Sequence, residues 1–167
     1  MNKRKVALDS CAILHLLWET PQWYPHVRAI YDDGVAGNVE IVVSEISVAE
    51  VSRLEAQGGK PLSPDEQARI ISQFFRHLFI DRRGVTSREA EFATRLIRRH
   101  NIGTCDAVIA ATAALAGADT LYTTDGCTNR RKAGTLLTVG EIVTDGGRRM
   151  RVEPPDAAKY SASRSNP

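Results

Sequence analysis

The stretch KVALDSCAIL, residues 5–14, decides the fold class. Lys5–Leu8 reads as a short buried strand, because its apolar run is continuous rather than alternating, as in strands covered on both faces. Asp9 stands at the strand's end, and Ser10 can cap a helix running to Leu17. The same order recurs downstream. Glu40–Val43 is a second strand, and Ser44 caps a helix with Ile46, Val48, Ala49, Val51 and Leu54 on its apolar face, ending before Gly58-Gly59. Alternating strands and helices imply an α/β class with a mainly parallel sheet covered on both faces.

Working outward, Val27–Val35 follows helical spacing and ends at Gly37-Asn38. Ser63-Pro64 opens another helix, with Asp65-Glu66 in its first turn. Leu78–Ile80 reads as a short strand. Ser87–His100 is amphipathic, with Ala90, Ala93, Leu96 and Ile97 expected inward and arginines outward. Thr104 is the expected cap of an alanine-rich helix, Cys105–Ala116, closed by Gly117. Thr120–Thr123 and Leu136–Val139 read as strands. Trp18, Trp23 and Tyr24 read as a helix-pair core or as a partner surface, and the core is the preferred reading. Gly146-Gly147 and the run VEPPDAAKYSASRSNP suggest a flexible tail, giving one domain over residues 1–145 and a tail over 146–167.

A chain of 167 residues suits one domain, and 43% apolar with 25% charged residues suits a globular protein. The chain has no run of about 18 apolar residues, so no membrane span is expected. The basic N-terminus is not followed by a small-residue cleavage site, so no signal peptide is expected and the cytoplasm is the expected compartment. Cys11, Cys105 and Cys127 lack metal-ligand spacing and read as free thiols. Each lies within two residues of an acid, so oxidation there would disturb those acids. Net charge is only +2, which excludes a global basic field. The basic residues are instead clustered, as Arg82-Arg83, Arg98-Arg99, Arg130-Arg131-Lys132 and Arg148-Arg149 with Arg151. Arginine's fork suits phosphate oxygens.

Four acids fall where strands end or helices begin: Asp9, Glu50 in VVSEISVAEV, Asp106 in IGTCDAVIAATAAL and Asp125 in TLYTTDG. Each has a local explanation. Asp9 can cap a helix, Glu50 can close a capping box with Ser47, Asp106 sits in a favourable first turn, and Asp125-Gly126 is a common turn. Together they favour one site, because sites in parallel sheets gather at the carboxyl ends of strands. Two like charges at 4 Å repel by about 4 kcal/mol at an effective dielectric near 20. A divalent cation relieves that repulsion, and oxygen ligands suit Mg²⁺ or Mn²⁺.

In order and wording these segments resemble the PIN-domain ribonucleases, especially the VapC-type toxins of toxin–antitoxin pairs. LDSCAIL resembles the opening strand, acid and helix of that family. SEISVAEV resembles its Ser/Thr-rich helix carrying a glutamate, CDAVIAATA its Asp-Ala-x-Ile-Ala-Ala helix, and LYTTDG its strand ending in Thr-x-Asp. The resemblance covers residues 5–143. It implies a three-layer α/β/α sandwich with a central sheet of about four or five strands. It also implies Mg²⁺ or Mn²⁺ held most directly by Asp9 and Asp106, with Glu50 and Asp125 completing the acidic site. Thr123 and Ser10 would hydrogen-bond a ligand or phosphate, and Arg130, Arg131 and Lys132 would hold flanking phosphates. The implied substrate is single-stranded or looped RNA, and the implied partners are an antitoxin and a second copy of the chain. One departure is plain: after the Thr-x-Asp strand the chain reads Gly126-Cys127-Thr128-Asn129, so a fifth acid is absent and Asn129 is its neutral counterpart.

Two other classes compete. Among phosphotransfer domains with an Asp nucleophile, a haloacid-dehalogenase-like phosphatase would want a second Asp at position 11, which is Cys11. A response-regulator receiver would want a paired acid near the first strand and a late lysine after a strand, neither of which the chain shows. A catalytically weak PIN-like module that binds RNA or protein is the non-enzymatic alternative.

Overall fold

The structure, a computed structural model, describes residues 3–52, 62–127 and 134–164, with side chains to residue 162. Leu54, Gly58-Gly59 and Asn129–Lys132 of the sequence expectations lie outside the described residues.

Strands β1 (Arg4–Leu8), β2 (Val39–Ser44), β3 (Ile80–Arg83), β4 (Thr120–Tyr122), β5 (Glu141–Val143) and β6 (Arg149–Glu153) form one sheet in the order β3-β2-β1-β4-β6-β5. All neighbours are parallel except the antiparallel β5–β6 pair. The sheet thus has six strands rather than four or five. From central β1 the chain steps outward to β2 and β3, then crosses back to β4 on β1's other side. The connections leaving β1 and β4 run to opposite sides of the sheet, which sets a switch point at the carboxyl ends of these two strands. The ladder runs past the strand ends there. The Asp9 N–H donates to the Tyr122 carbonyl at 3.1 Å, and the Thr123 N–H to the Glu153 carbonyl at 3.2 Å. Asp9 and Thr123 therefore leave from fixed backbone.

Helices α1 (Ser10–Leu17), α2 (Tyr24–Val35), α3 (Glu45–Glu50), α4 (Pro64–Phe75), α5 (Ser87–His100), α6 (Thr104–Leu115) and α7 (Ala157–Arg164) complete the described chain. Successive strand residues point to opposite faces. Val6, Leu8, Ile41 and Val43 pack with residues of α1, α2, α4 and α7, while Ala7, Val42 and Leu121 pack with α5 and α6. This is the expected three-layer sandwich. Ser63 with Glu66, and Thr86 with Glu89, form capping boxes that start α4 and α5. In α6, the buried alanines 107, 110, 111 and 114 let the helix backbone lie close to the sheet.

Several expectations are corrected. Asp9 rather than Ser10 is the cap of α1, because the Ser10 hydroxyl is drawn to Glu50. Gly103 rather than Thr104 caps α6. In α5, Phe92 faces inward and Ala90 is exposed. Leu78 is fully exposed, and the strand begins at Ile80. Leu136–Thr138 is a 3-10 turn, and the strand follows it as β5, after Gly140 at φ 69°. Trp18, Trp23 and Tyr24 are half-buried rather than core residues. Residues 149–162, expected in a flexible tail, supply β6 and most of α7. Tyr160 is buried and its hydroxyl donates to Asp33 Oδ2 at 2.7 Å, while Asn38 Nδ2 donates to Asp33 Oδ1 at 2.8 Å. The Ala157 N–H is accepted by His26 Nδ1 at 3.0 Å. Among the described residues, no helix is long and apolar enough to cross a membrane.

Candidate active site

The switch point at the carboxyl ends of β1 and β4 centres on Asp9, which is 4% exposed. Its Oδ1 accepts the Ser10 N–H as the cap of α1. Its Oδ2 accepts the Thr123 hydroxyl at 2.6 Å and the Cys11 thiol at 3.0 Å. Burial pushes the Asp9 carboxyl up, and the three hydrogen bonds oppose that by favouring the charged form. Thr123 joins two acids. Its oxygen donates to Asp9 and accepts the Asp125 N–H at 3.0 Å. Asp125 Oδ2 in turn accepts the Leu136 N–H at 3.0 Å, closing the loop that leaves β4.

Glu50, at the end of α3, accepts the Ser10 hydroxyl. Its predicted capping box with Ser47 does not form: the cap of α3 is Ser44, and the Ser47 hydroxyl is buried without a partner. Asp106, in the first turn of α6, is half-buried. Its carboxyl is pushed up to about 6 by burial first, then by the charges of Asp9, Asp125 and Glu50. All four acids thus share one electrostatic site. Gly103 makes room for it, since a Cβ on that residue would stand 3.1 Å from Asp106 Oδ2.

The sequence left several contributors unassigned. The Cys11 Sγ accepts the Thr124 N–H at 3.2 Å. His15 Nε2 meets the Thr124 hydroxyl at 3.1 Å, and its Nδ1 meets the Thr20 hydroxyl at 3.0 Å. Helical spacing was the available signal, because Cys11 and His15 lie on one face of α1. Nothing in the sequence said that this face would meet the end of β4. Thr123, Ser10 and the four acids are brought together, whereas Asn129, Arg130, Arg131 and Lys132 lie outside the described residues.

The sequence matches the PIN domain family over residues 6–132. The chain belongs to the PIN domain family. No curated protein matches it. Among solved structures, VapC20 of Mycobacterium tuberculosis, described as a sarcin-ricin loop cleaving toxin, is similar with a TM-score of 0.56 at 15% identity, over 77% of this chain and 98% of that one. VapBC2 from Rickettsia felis, bound to a DNA fragment from its promoter, gives 0.55 at 18% identity over 78% and 95%. FitAcB from Neisseria gonorrhoeae gives 0.50 at 22% identity over 72% and 87%. At these identities the likeness is one of fold. In this PIN domain the matched segment contains all four acids and ends before β5, β6 and α7.

The donor chemistry of the PIN domain's acidic site fits a hard divalent cation, since every candidate ligand is a carboxylate or hydroxyl oxygen. Among the described residues, no three His, Cys, Asp or Glu side chains stand ready to hold one ion. Mg²⁺ is commonly held by one or two carboxylates and several waters, so Asp9 and Asp106 are the carboxylates that could hold one.

Proposed function

We propose that this PIN domain is an Mg²⁺- or Mn²⁺-dependent endoribonuclease, acting in the cytoplasm as the toxin of a toxin–antitoxin pair. The observation that carries the reading is the Asp106 carboxyl, raised to about 6 in part by the charges of Asp9, Asp125 and Glu50 at the sheet's switch point. Carboxylates crowded in this way call for a cation. A bound Mg²⁺ or Mn²⁺ would make water more acidic and shield charge developing on a phosphate. The chain's own residues supply the rest. Thr123, Ser10 and Cys11 hold the Asp9 carboxylate in one orientation. Glu50 is exposed and steadied by the Ser10 hydroxyl, so it can take the proton of an attacking water. Asp106 and Asp125 add their charge to the same site, and Arg130, Arg131 and Lys132 follow Asp125 in the chain as phosphate contacts.

The fold shared with VapC20 and with the VapBC2 complex supports RNA as substrate and an antitoxin as partner. A homodimer is proposed on the resemblance alone. The test is cleavage of a mixed structured RNA pool by purified protein, with Mg²⁺ or Mn²⁺ and with EDTA, beside Asp9→Asn and Asp106→Asn. Discrete products that vanish with EDTA and in both variants are expected. Cleavage retained by either folded variant would overturn the assignment. A second reading, a PIN module that binds RNA without cutting it, rests on the missing fifth acid in Gly126-Cys127-Thr128-Asn129. Stoichiometric RNA binding without products in Mn²⁺ would select that reading.

A further inference from the structure

We infer that Cys11 is a positioning residue whose thiol, assisted by His15 one turn later, clasps the end of β4 to α1 and leaves only Asp9 Oδ1 free to meet a cation. The inference rests on the proposed function for its purpose, but its geometry is independent of it. A carboxylate oxygen has about two lone-pair sites. Asp9 Oδ2 accepts both the Thr123 hydroxyl and the Cys11 thiol, so it is filled. Oδ1 accepts only the Ser10 N–H and keeps one site.

The thiol has one proton, and Asp9 takes it. Thr123 likewise spends its proton on Asp9, so the 3.4 Å approach of Cys11 Sγ to Thr123 Oγ1 is a contact rather than a bond. The sulfur's acceptor side receives the Thr124 N–H at 3.2 Å. That amide lies just beyond β4, which ends at Tyr122. His15 then holds the hydroxyl of the same threonine, and its other nitrogen is anchored on Thr20. Thr124 is thus gripped by both backbone and side chain, between Thr123, which orients Asp9, and Asp125. An alanine at position 11 would leave the Thr124 amide unmet and Asp9 Oδ2 half-filled, so the carboxylate could turn.

Residues that orient a metal ligand typically contribute 10–100-fold to affinity. The experiment measures free Mn²⁺ by electron paramagnetic resonance against wild type, Cys11→Ala, Cys11→Ser and Thr124→Val, with thermal melts confirming folded protein and RNA cleavage run in parallel. Cys11→Ala is expected to bind Mn²⁺ about 10-fold more weakly. Cys11→Ser keeps a donor and an acceptor and is expected to recover most of that loss. Thr124→Val, which removes the hydroxyl that His15 holds and that also faces the Cys11 sulfur, is expected to fall between them. Equal Mn²⁺ affinity in folded Cys11→Ala would overturn the inference, and so would Cys11→Ser as weak as Cys11→Ala, or a wild type that binds no Mn²⁺. A wild type that binds Mn²⁺ with this ranking but cuts no RNA would sink the nuclease reading and leave the clasp standing.

Discussion

Asp106 is held near 6 rather than at the ordinary 3.8, and the metal-free protein must carry the cost. The folded chain keeps a proton there that the unfolded chain has already released. Metal-free stability therefore falls as pH rises from about 4 to about 6 and stays lower above that window. A shift of this size corresponds to at most about 3 kcal/mol, and solvent screening of a half-exposed group reduces it to about 1 kcal/mol. Metal-free Asp106→Asn is thus expected to be more stable than wild type by about 1 kcal/mol at pH 7.5, the gap closing toward pH 4. Urea denaturation at both pH values checks this, and a gap that ignores pH would refute it. Gly103→Ala tests the same carboxylate by shape. Gly103 has an ordinary φ of −62°, so the backbone accepts alanine, but the new Cβ presses on Asp106 Oδ2. RNA cleavage is expected to fall by about 10-fold or more, since small misplacements at a reacting centre are costly, while the melting temperature changes little.

At the scale of elements, the positions of Asp9, Asp106 and Asp125 were legible in the sequence, because each lies close to a strand end or helix start marked by periodicity, while Glu50 closes its helix instead. Their partners were not. Glu50 fits a local pattern with Ser47, yet its hydrogen bond goes to Ser10, forty residues earlier. The alternation Arg149, Met150, Arg151, Val152 marks β6, but Gly146-Gly147 and Pro154-Pro155 made the region look unstructured. Helix α7 is polar overall, and one buried tyrosine docks it, which composition does not reveal. Tyr160→Phe isolates that contact. It leaves the buried Asp33 carboxylate without one of its donors, so unfolding free energy is expected to drop by about 1–3 kcal/mol with RNA cleavage unchanged. A urea midpoint equal to wild type would show that α7 is held by other contacts.

Across the whole molecule, the fold class followed from the order of strands and helices, whereas the switch point came only with the strand order. The sheet's full width did not, because its last two strands are short and lie beyond the misread Leu136–Val139. A ligand that binds only the folded chain raises stability by mass action, about 1.4 kcal/mol at roughly ten times its dissociation constant. Saturating Mg²⁺ is therefore expected to raise the melting temperature by about 2–5 °C, EDTA to reverse the rise, and Asp9→Asn to abolish it. Differential scanning fluorimetry reads all three, and an Asp9→Asn protein that still responds would place the ion elsewhere.

The hydrogen bond from Thr123 to Asp9 spans 114 positions of sequence. During synthesis β1 emerges first and β4 much later, with β2, β3, α5 and α6 made between them. A ribosome partway through the message therefore carries a chain whose first acid has no oriented partner. On the proposed nuclease reading, then, no copy of the chain cuts RNA before β4 has been made and paired with β1.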